Sequence, residues 1–491
     1  MTATLEPLEI LDPERIEIRR PETSRRWTGF AVVLAAMIMN ILDSTIVNVA
    51  APSVQRDLHT SSAALEWVAA AYTLAIAVGL LTGGRLGDRY GRRTLLLIGL
   101  SGFVASSLAC AIAWSPEALI TARVAQGLSA AMLTPQCFGL IRDLFPPDQI
   151  GKAFAAFGPV IGISTVAGPV VAGLLLKADP FGTQWRSLFL INVPLGVFAL
   201  VVGSRVLPSG AANRGVRLDP VGAVLMTVAS FLLVFPLVDG RAQGWPMWIF
   251  ALLAAAVPVL GGFAVQQRRR IRRGAAPLVE LSVLAKRSYV SGVIFTLVFF
   301  GAIVGYSLTM GLFLQLGLGM TPMRASLYLA ASAVGAFLGS GVGAWAATAV
   351  GRPILHVGLS LAAAGAALLL VSVHVSAPVP GAGGLLPGLA LFGFGMGMIF
   401  VPLFSIIVGE IEDHEVGSAS GLLEALQQLG ASLGVAVLAT LFFSRLDGPG
   451  GRPAAGHAVS AVEATLTVTI VLLGVAFAIG WLLPRRARTE Y

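Results

Sequence analysis

The chain has 491 residues, of which 56% are hydrophobic and 12% are charged, and its mean hydropathy is +0.84. Soluble globular proteins carry about 25% charged residues, so the composition argues against a water-soluble enzyme or binding domain. The formal net charge of +8 would suit a nucleic-acid binder if the basic residues formed a patch, but they are spread along the chain.

In chain order, a polar segment (1–27) precedes the first apolar run, 28–51. About 20 apolar residues cross a bilayer as a helix. The polar segment is long and no small-residue cleavage pattern follows the run, so the run is expected to stay in the mature chain. Thirteen more runs follow, at 65–85, 94–114, 118–141, 151–176, 187–207, 219–238, 246–266, 289–316, 322–349, 353–374, 384–408, 417–443 and 461–483. The expectation is an all-α integral membrane protein with 14 transmembrane helices. Its 57 glycines suit helices whose backbones approach closely in lipid. With fourteen spans both termini share one side. That side holds 25 of the 33 Lys and Arg, the other side holds 7, and Arg123 falls within a span. The positive-inside rule then places both termini in the cytoplasm of a multi-pass plasma-membrane protein, and the net charge reflects topology rather than nucleic-acid binding.

The runs fall into parts. After the cytoplasmic segment 1–27, spans 1–6 (28–207) form one block, and two further spans lie within 208–288. Spans 9–14 (289–483) form a second block, and 484–491 is a cytoplasmic tail. Six, two and six suggest two repeated six-helix bundles with an inserted helix pair. "QQRRRIRRG" (266–274) reads as a topogenic cytoplasmic loop that touches lipid head groups. In "RLDP" (217–220) Asp219 is placed to cap a helix that begins at Pro220. "GEIEDHEVG" (409–417) reads as a solvated acidic loop.

Catalytic motifs are missing. The chain lacks the phosphate-binding G-x-x-x-x-G-K-[ST], H-E-x-x-H and G-x-S-x-G, so an enzyme is not expected. Cys110 and Cys137 lack metal spacing. No metal and no cofactor are expected.

Three charges inside apolar runs stand out. A charge at the bilayer centre costs about 2.5–3.5 kcal/mol on insertion scales, so it usually meets a cavity or a partner. Asp43 lies beside a polar face formed by Asn40, Ser44 and Asn48 at i, i+4 and i+8. That stripe is expected to line a central cavity; a hydrogen-bond network between helices is the alternative. A desolvated carboxylate there could exchange a proton against a cation. Arg123 either snorkels to the interface or partners a carboxylate. Glu424 shares a face with Ser420, Gln427 and Gln428, which suits either a cavity site for cations or protons or a polar packing network.

Several stretches together resemble the major facilitator superfamily. "GGRLGDRYGRR" (83–93) matches the family's loop signature G-x-L-x-D-R-x-G-R-[RK] through Gly84, Leu86, Asp88, Arg89, Gly91, Arg92 and Arg93. "ARVAQGLSAAMLTP" (122–135) resembles the fourth-helix motif R-x-x-Q-G in Arg123, Gln126 and Gly127. "GPVIGISTVAGPVVAG" (158–173) resembles the antiporter motif in Gly158, Gly162, Gly168, Pro169 and Gly173, with Ala172 where Gly is frequent. "NILDSTIVNVAAPSVQRDL" (40–58), "WRSLFLINVPLG" (185–196), "PLVELSVLAKRSYVSG" (277–292) and "GSASGLLEALQQLGASLGVAVLAT" (417–440) resemble signatures of the fourteen-helix drug:proton antiporter branch. In "AVGRPILHVG" (349–358) Gly351 and Arg352 remain but the acidic partner is absent, so the second half lacks a full lock.

The resemblance implies the major facilitator fold and alternating access driven by the proton gradient. It places Asp43, Arg123 and Glu424 in proton coupling, and it places the 83–93 loop and the antiporter-motif residues in gating. Substrate contacts fall to Asn40, Asp43, Ser44, Asn48, Glu424, Gln427 and Gln428. The expected partners are a small lipophilic or cationic substrate, protons and membrane lipids, and the chain is expected to act as a monomer. The expected activity is efflux of drugs or antibiotics. A dedicated exporter of an endogenous natural product, siderophore or lipid is the alternative, and a proton-symport importer is a further one.

Overall fold

The computed structural model describes residues 23–146, 149, 164, 167–209, 218–240, 243–275, 277–278, 282–283, 286–375, 384–408, 416–446 and 455–484, without the side chains of a few helix positions, among them 48 and 416–420. The described residues are almost entirely helical. In chain order the main helices are α1 (Thr23–Asp57), α2 (Ser62–Tyr90), α3 (Arg92–Ala111), α4 (Pro116–Leu144), α5 (Ala167–Ala178), α6 (Asn192–Val206), α7 (Pro220–Asp239), α8 (Met247–Arg272), α9 (Arg287–Leu312), α10 (Pro322–Val350), α11 (Pro353–Val375), α12 (Leu385–Val408), α13 (Val416–Leu446) and α14 (Ala455–Gly480).

Twelve helices are long and apolar enough to cross a membrane; two shorter apolar stretches, Ala167–Ala178 and Leu385–Phe400, stand at the fifth and twelfth expected positions. The expected count of fourteen full spans is therefore twelve among the described residues. The fifth helix is short here because most of 151–166 lies outside them.

Local chemistry explains the ends. Ser61 and Ser115 cap α2 and α4 by accepting from Ala64 N and Ala118 N. Asp219 caps α7 by accepting from Gly222 N at 2.9 Å, with Pro220 in the first turn, as its sequence position suggests. Gly91 alone separates α2 from α3, at φ 93°, a conformation that glycine reaches without strain.

Packing repeats along the chain. In the first half α2 packs on α4, α3 on α4 and α6, and α1 on α6; in the second half α10 packs on α12, α11 on α12 and α14, and α9 on α14. Each second-half pair is its first-half counterpart shifted by eight helices. Glycine permits the tightest crossings. A Cβ on Gly393 or Gly397 would strike the α10 backbone at Ser332 or Ala336, and one on Gly434 would strike the α9 backbone at Gly301.

Between these sets α7 packs against both α2 and α13, and Trp67 of α2 stacks on Phe231 and packs against Phe235 of α7. The basic stretch 266–274 is not simply a loop. It forms the last turns of α8 up to Arg272, and it stitches back to α7. The side-chain amides of Gln266 and Gln267 donate to the Asp219 carboxylate at 2.8 and 2.7 Å, and Arg270 pairs with it at 3.5 Å.

The first set meets α9–α14 at the end of the molecule remote from Thr23. There Gln315, in a π-helical turn (Phe313–Gly317) after α9, donates to Val49 O at 3.3 Å. Ser432 donates to Ala70 O at 3.2 Å, and Thr440 lies 3.2 Å from Glu66 Oε2. A Cβ on Gly173 of α5 would press on Ser326 and Met323 of α10 at 2.7–3.0 Å. Among the described residues, every hydrogen bond named between α1–α6 and α9–α14 lies at this end.

Candidate functional site

Asp43 is 1% exposed. Its carboxylate does not face a central cavity, as the polar stripe suggested, but the interior of the first six-helix set. The physical reason is supply of donors. One oxygen takes the Arg123 guanidinium; the other accepts from Gln126 Nε2 at 2.8 Å and from Asn192 Nδ2 at 2.9 Å. A buried carboxylate needs a counter-ion and several hydrogen bonds, and α4 and α6 supply them to α1.

Arg123 is equally buried, so it does not snorkel. Its Nε donates to Val68 O at 3.2 Å, and its guanidinium donates to Gln126 Oε1 at 2.7 Å. Its plane lies 4.0 Å from the Tyr72 ring and 5.8 Å from that of Phe189, which adds cation–π attraction. The R-x-x-Q-G pattern has a direct geometric meaning. Arg123 and Gln126, three residues apart, project from one face of α4 onto Asp43, and a Cβ on Gly127 would collide with Ala75 and with the α2 backbone at Tyr72.

The sequence reading missed Tyr72, Ser107 and Asn192. Ser107 accepts from Gln126 Nε2 at 2.8 Å and from Asn192 Nδ2 at 3.3 Å. Of these, Asn192 carried a signal, an amide inside the apolar "LINVP". Asn40 is half-buried and belongs to the same cluster. It accepts from the Tyr72 hydroxyl and donates to Thr134 at 3.2 Å. Ser44 is exposed and bonds to its own helix at Ile41 O. The Asn48 side chain lies outside the described residues.

On α13, Glu424, Gln427 and Gln428 are half-buried. Glu424 stands about 12 Å along the helix from Val416, at ~1.5 Å per residue. No hydrogen bond or ion pair engages its carboxylate among the described residues. It lies within Coulombic range of the Cys137 thiol on α4. The structure therefore does not bring Asp43 and Glu424 together; one is sequestered in an ion pair and the other has no partner among the described residues. The Ser420 side chain lies outside the described residues.

The stretch 83–93, expected as a loop, is helical apart from Gly91: 83–90 are the last turns of α2 and Arg92 and Arg93 begin α3. A Cβ on Gly83 or Gly87 would enter α4 at Ala131 or Gln136, whereas Gly84 has only Pro135 near it, at 3.8 Å. Arg92 pairs with Asp143 at 2.8 Å, and Arg93 binds Ser204 O and, at 2.7 Å, Ser209. Arg85 donates to Pro277 O at 3.2 Å, and Arg89 lies over the Tyr90 ring. Asp88 is exposed and has no partner among the described residues. Gly168 backs onto Thr45 of α1, with Pro169 half-buried beside it; Gly158 and Gly162 lie outside the described residues, as does the acidic stretch 409–415. In the second half Arg352 donates to Trp481 O and Leu483 O at 2.8 and 2.9 Å. No cluster of three or more His, Cys, Asp or Glu with metal-binding geometry occurs among the described residues.

Membrane-length helices packed in two matching sets, with an ion pair sealed inside one of them, define a multi-pass membrane transporter. The chain belongs to the major facilitator superfamily, whose sequence profile matches residues 33–435. It is a transporter, not an enzyme. Among curated relatives, it is 46% identical to the probable actinorhodin transporter of Streptomyces coelicolor, over 87% of this chain and 74% of that protein. It is 34% identical to the tetracenomycin C resistance and export protein of Streptomyces glaucescens, over 86% and 77%. It is 35% identical to a puromycin resistance protein of Streptomyces alboniger, over 94% and 90%. In fold it resembles a D-xylose–proton symporter (TM-score 0.66, 16% identity, 94% and 99% coverage). It likewise resembles a bacterial homologue of the lysosomal transporter Spinster, solved inward-facing and unoccupied (TM-score 0.65, 14% identity, 96% and 100% coverage).

Proposed function

We propose that this protein exports antibiotics or related lipophilic, cationic molecules across the cytoplasmic membrane in exchange for protons. Relatives named for antibiotic export and resistance support efflux. The observation that carries the mechanism is the sealed Asp43–Arg123 pair standing apart from Glu424, which has no partner among the described residues. On this reading the chain has fourteen spans in two six-helix bundles, 28–207 and 289–483, joined through 208–288, with both termini cytoplasmic. The closed end is then extracellular, and the conformation is assigned as inward-facing.

The cycle follows from electrostatics. In the inward-open form Asp43 is ionised and paired, and Glu424 offers a negative charge to a cation entering from the cytoplasm. Carrying the cation outward opens the far end. A proton reaching Asp43 there neutralises the carboxylate and removes the counter-charge of Arg123. The freed positive charge and the changed packing disfavour the bound cation, which leaves. Return to the inward form lets Asp43 lose its proton and the pair re-form. The gating stretch 83–93 takes part at the cytoplasmic end: Asp88, free in the open form, gains partners when that end closes. One proton crossing ~100 mV carries about 2.3 kcal/mol, enough for a gradient of roughly fifty-fold.

The test is transport of ethidium in proteoliposomes with an imposed pH gradient. Native protein should move ethidium against its gradient, and Asp43→Asn should abolish coupling. Glu424→Gln should weaken uptake of cations more than of neutral substrates. Native protein that moves no cation under a gradient would sink the cationic reading. A second reading, a dedicated exporter of one natural product, is favoured by relatives named for single compounds; a panel in which one compound alone is transported would establish it.

A further inference from the structure

α8 ends in five arginines, Arg268, Arg269, Arg270, Arg272 and Arg273. Arg270 turns inward, donating to Leu218 O at 3.2 Å beside its pairing with Asp219. Arg268, Arg269, Arg272 and Arg273 are exposed, and no hydrogen bond or ion pair engages them among the described residues. α8 itself contains no acidic residue, and the one within α7, Asp239, is the last residue of that helix, at the end remote from Asp219. Setting topology needs such charges only in number. It does not ask for a common face or a fixed frame, and this end of α8 has both.

At 3.6 residues per turn the four exposed arginines fall within about 140° of arc. Phe263 and Gln267, both buried, and Arg270 lie outside that arc. Within it, toward the bilayer, come exposed Val265 and then Gly261 and Gly262, whose Cβ positions have nothing within 4 Å. The two glycines stand about 9–11 Å along the axis from Arg268, at ~1.5 Å per residue. Cations at the end of a membrane-length helix therefore adjoin an apolar face with a shallow recess. The frame is fixed. Gly274, at φ 66°, turns the chain, and Ala275 N donates to Arg270 O at 3.0 Å, which closes the helix end. Gln267 Oε1 accepts from Leu278 N at 2.7 Å, and Pro277 O accepts from Arg85 of α2 at 3.2 Å. The arginines are thus presented from a helix end pinned to both α7 and α2, which lowers the ordering cost of binding there.

We propose that the C-terminal end of α8 is a docking site for an anionic glycerophospholipid of the surrounding membrane. The lipid phosphate accepts from the guanidinium groups, whose fork suits bidentate contact with phosphate oxygens. An acyl chain runs past Val265 into the recess at Gly261 and Gly262. Arg268 with Arg272, and Arg269 with Arg273, are like charges at i, i+4, which repel; an anion between them relieves that repulsion. A zwitterionic lipid brings its own cation and gains less. A free phosphate would meet the same guanidinium groups but leave the apolar recess uncovered, so the combination selects a membrane lipid. The inserted helix pair thereby acquires a role, tying a lipid to α2 through residues 277–278. This goes beyond the export reading and depends neither on its substrate nor on proton coupling.

A bimane fluorophore on Val265→Cys, in the full chain with Cys110→Ala and Cys137→Ala, would report the neighbouring lipid in phosphatidylcholine vesicles through quenching by acyl-brominated lipids. Brominated phosphatidylglycerol should be preferred over brominated phosphatidylcholine by about fivefold or more, the gain that one interfacial arginine supplies. Arg268→Gln/Arg269→Gln/Arg272→Gln/Arg273→Gln should bring the ratio close to one. The same label on Val334→Cys, an exposed position of α10, should show no preference with all four arginines present. Equal quenching by the two lipids at Val265→Cys would leave the arginines to topology or to a soluble anion and would overturn the proposal. So would a preference that survives in the quadruple variant, or an equal preference at Val334→Cys, the mark of attraction to the protein as a whole. Should the quadruple variant not insert, Arg268→Gln/Arg272→Gln and Arg269→Gln/Arg273→Gln each remove half the charge; a lowered ratio supports the site and an unmoved one overturns it. No substrate or gradient is present, so failure of ethidium transport counts against the export reading alone.

Discussion

At the scale of single residues, the Asp43–Arg123 pair is held by mutual need rather than by surplus stability. Removing one partner of a buried pair leaves an uncompensated charge and costs about 3–5 kcal/mol, whereas removing both can be nearly neutral. Asp43→Asn and Arg123→Gln should each lower the thermal midpoint in detergent, and the double variant should recover most of the loss while remaining uncoupled from pH. A thermal double-mutant cycle tests this; additive losses would contradict it. Asp57 is a different case. It lies at the end of α1, beyond the apolar window that stops at Val47, and the Trp185 indole N–H, then Arg186, hold its carboxyl below the usual range. A depressed carboxyl contributes stability above the ordinary value, near ~3.9, and loses it as pH falls through the lowered value. Asp57→Asn should therefore destabilise at neutral pH by about 0.2–1 kcal/mol, the range for exposed pairs, and the difference from native should vanish in strong acid.

At the scale of helices, the crossings depend on missing Cβ atoms. Gly434 of α13 meets Gly301 of α9 backbone to backbone, and Gly393 of α12 meets Ser332 of α10. Alanine at either site should cost about 1–3 kcal/mol by overpacking, read as lower monodisperse yield after heating. Gly341→Ala, on α10 with nothing within 4 Å of its Cβ position, should be neutral or slightly stabilising. Apart from the fifth, apolar runs located the helix ends to within about six residues, because bilayer length constrains them independently of their neighbours. They could not show which glycines bear the contacts. The loop signature singled out Gly84, but Gly83 and Gly87 face α4, since that depends on the rotation of α2.

At the scale of the whole molecule, the hydrogen bonds named between the two halves lie, among the described residues, at one end. Cysteines placed at Gln427 and Gln428 should react with a small charged thiol reagent from the side bearing the termini. A cysteine at Ser432, sealed under Ala70 of α2, should react poorly from both sides until substrate or acid shifts the conformation. Equal labelling of Ser432→Cys and Gln428→Cys would contradict this arrangement.

What the sequence by itself determined is the membrane class, the order of helices, and the charges worth suspecting. Each of these follows from local composition and from the cost of placing charge in lipid. Only the tertiary structure decided where those charges point. Asp43 turns inward to Arg123 because Gln126, Ser107 and Asn192, scattered over some 85 positions of chain, converge to solvate it. Glu66 and Thr440 lie 374 residues apart, and no local pattern marks them as partners. A buried polar group is satisfied by whatever the fold brings near, so its neighbours belong to the packing of helices rather than to the residues beside it in sequence.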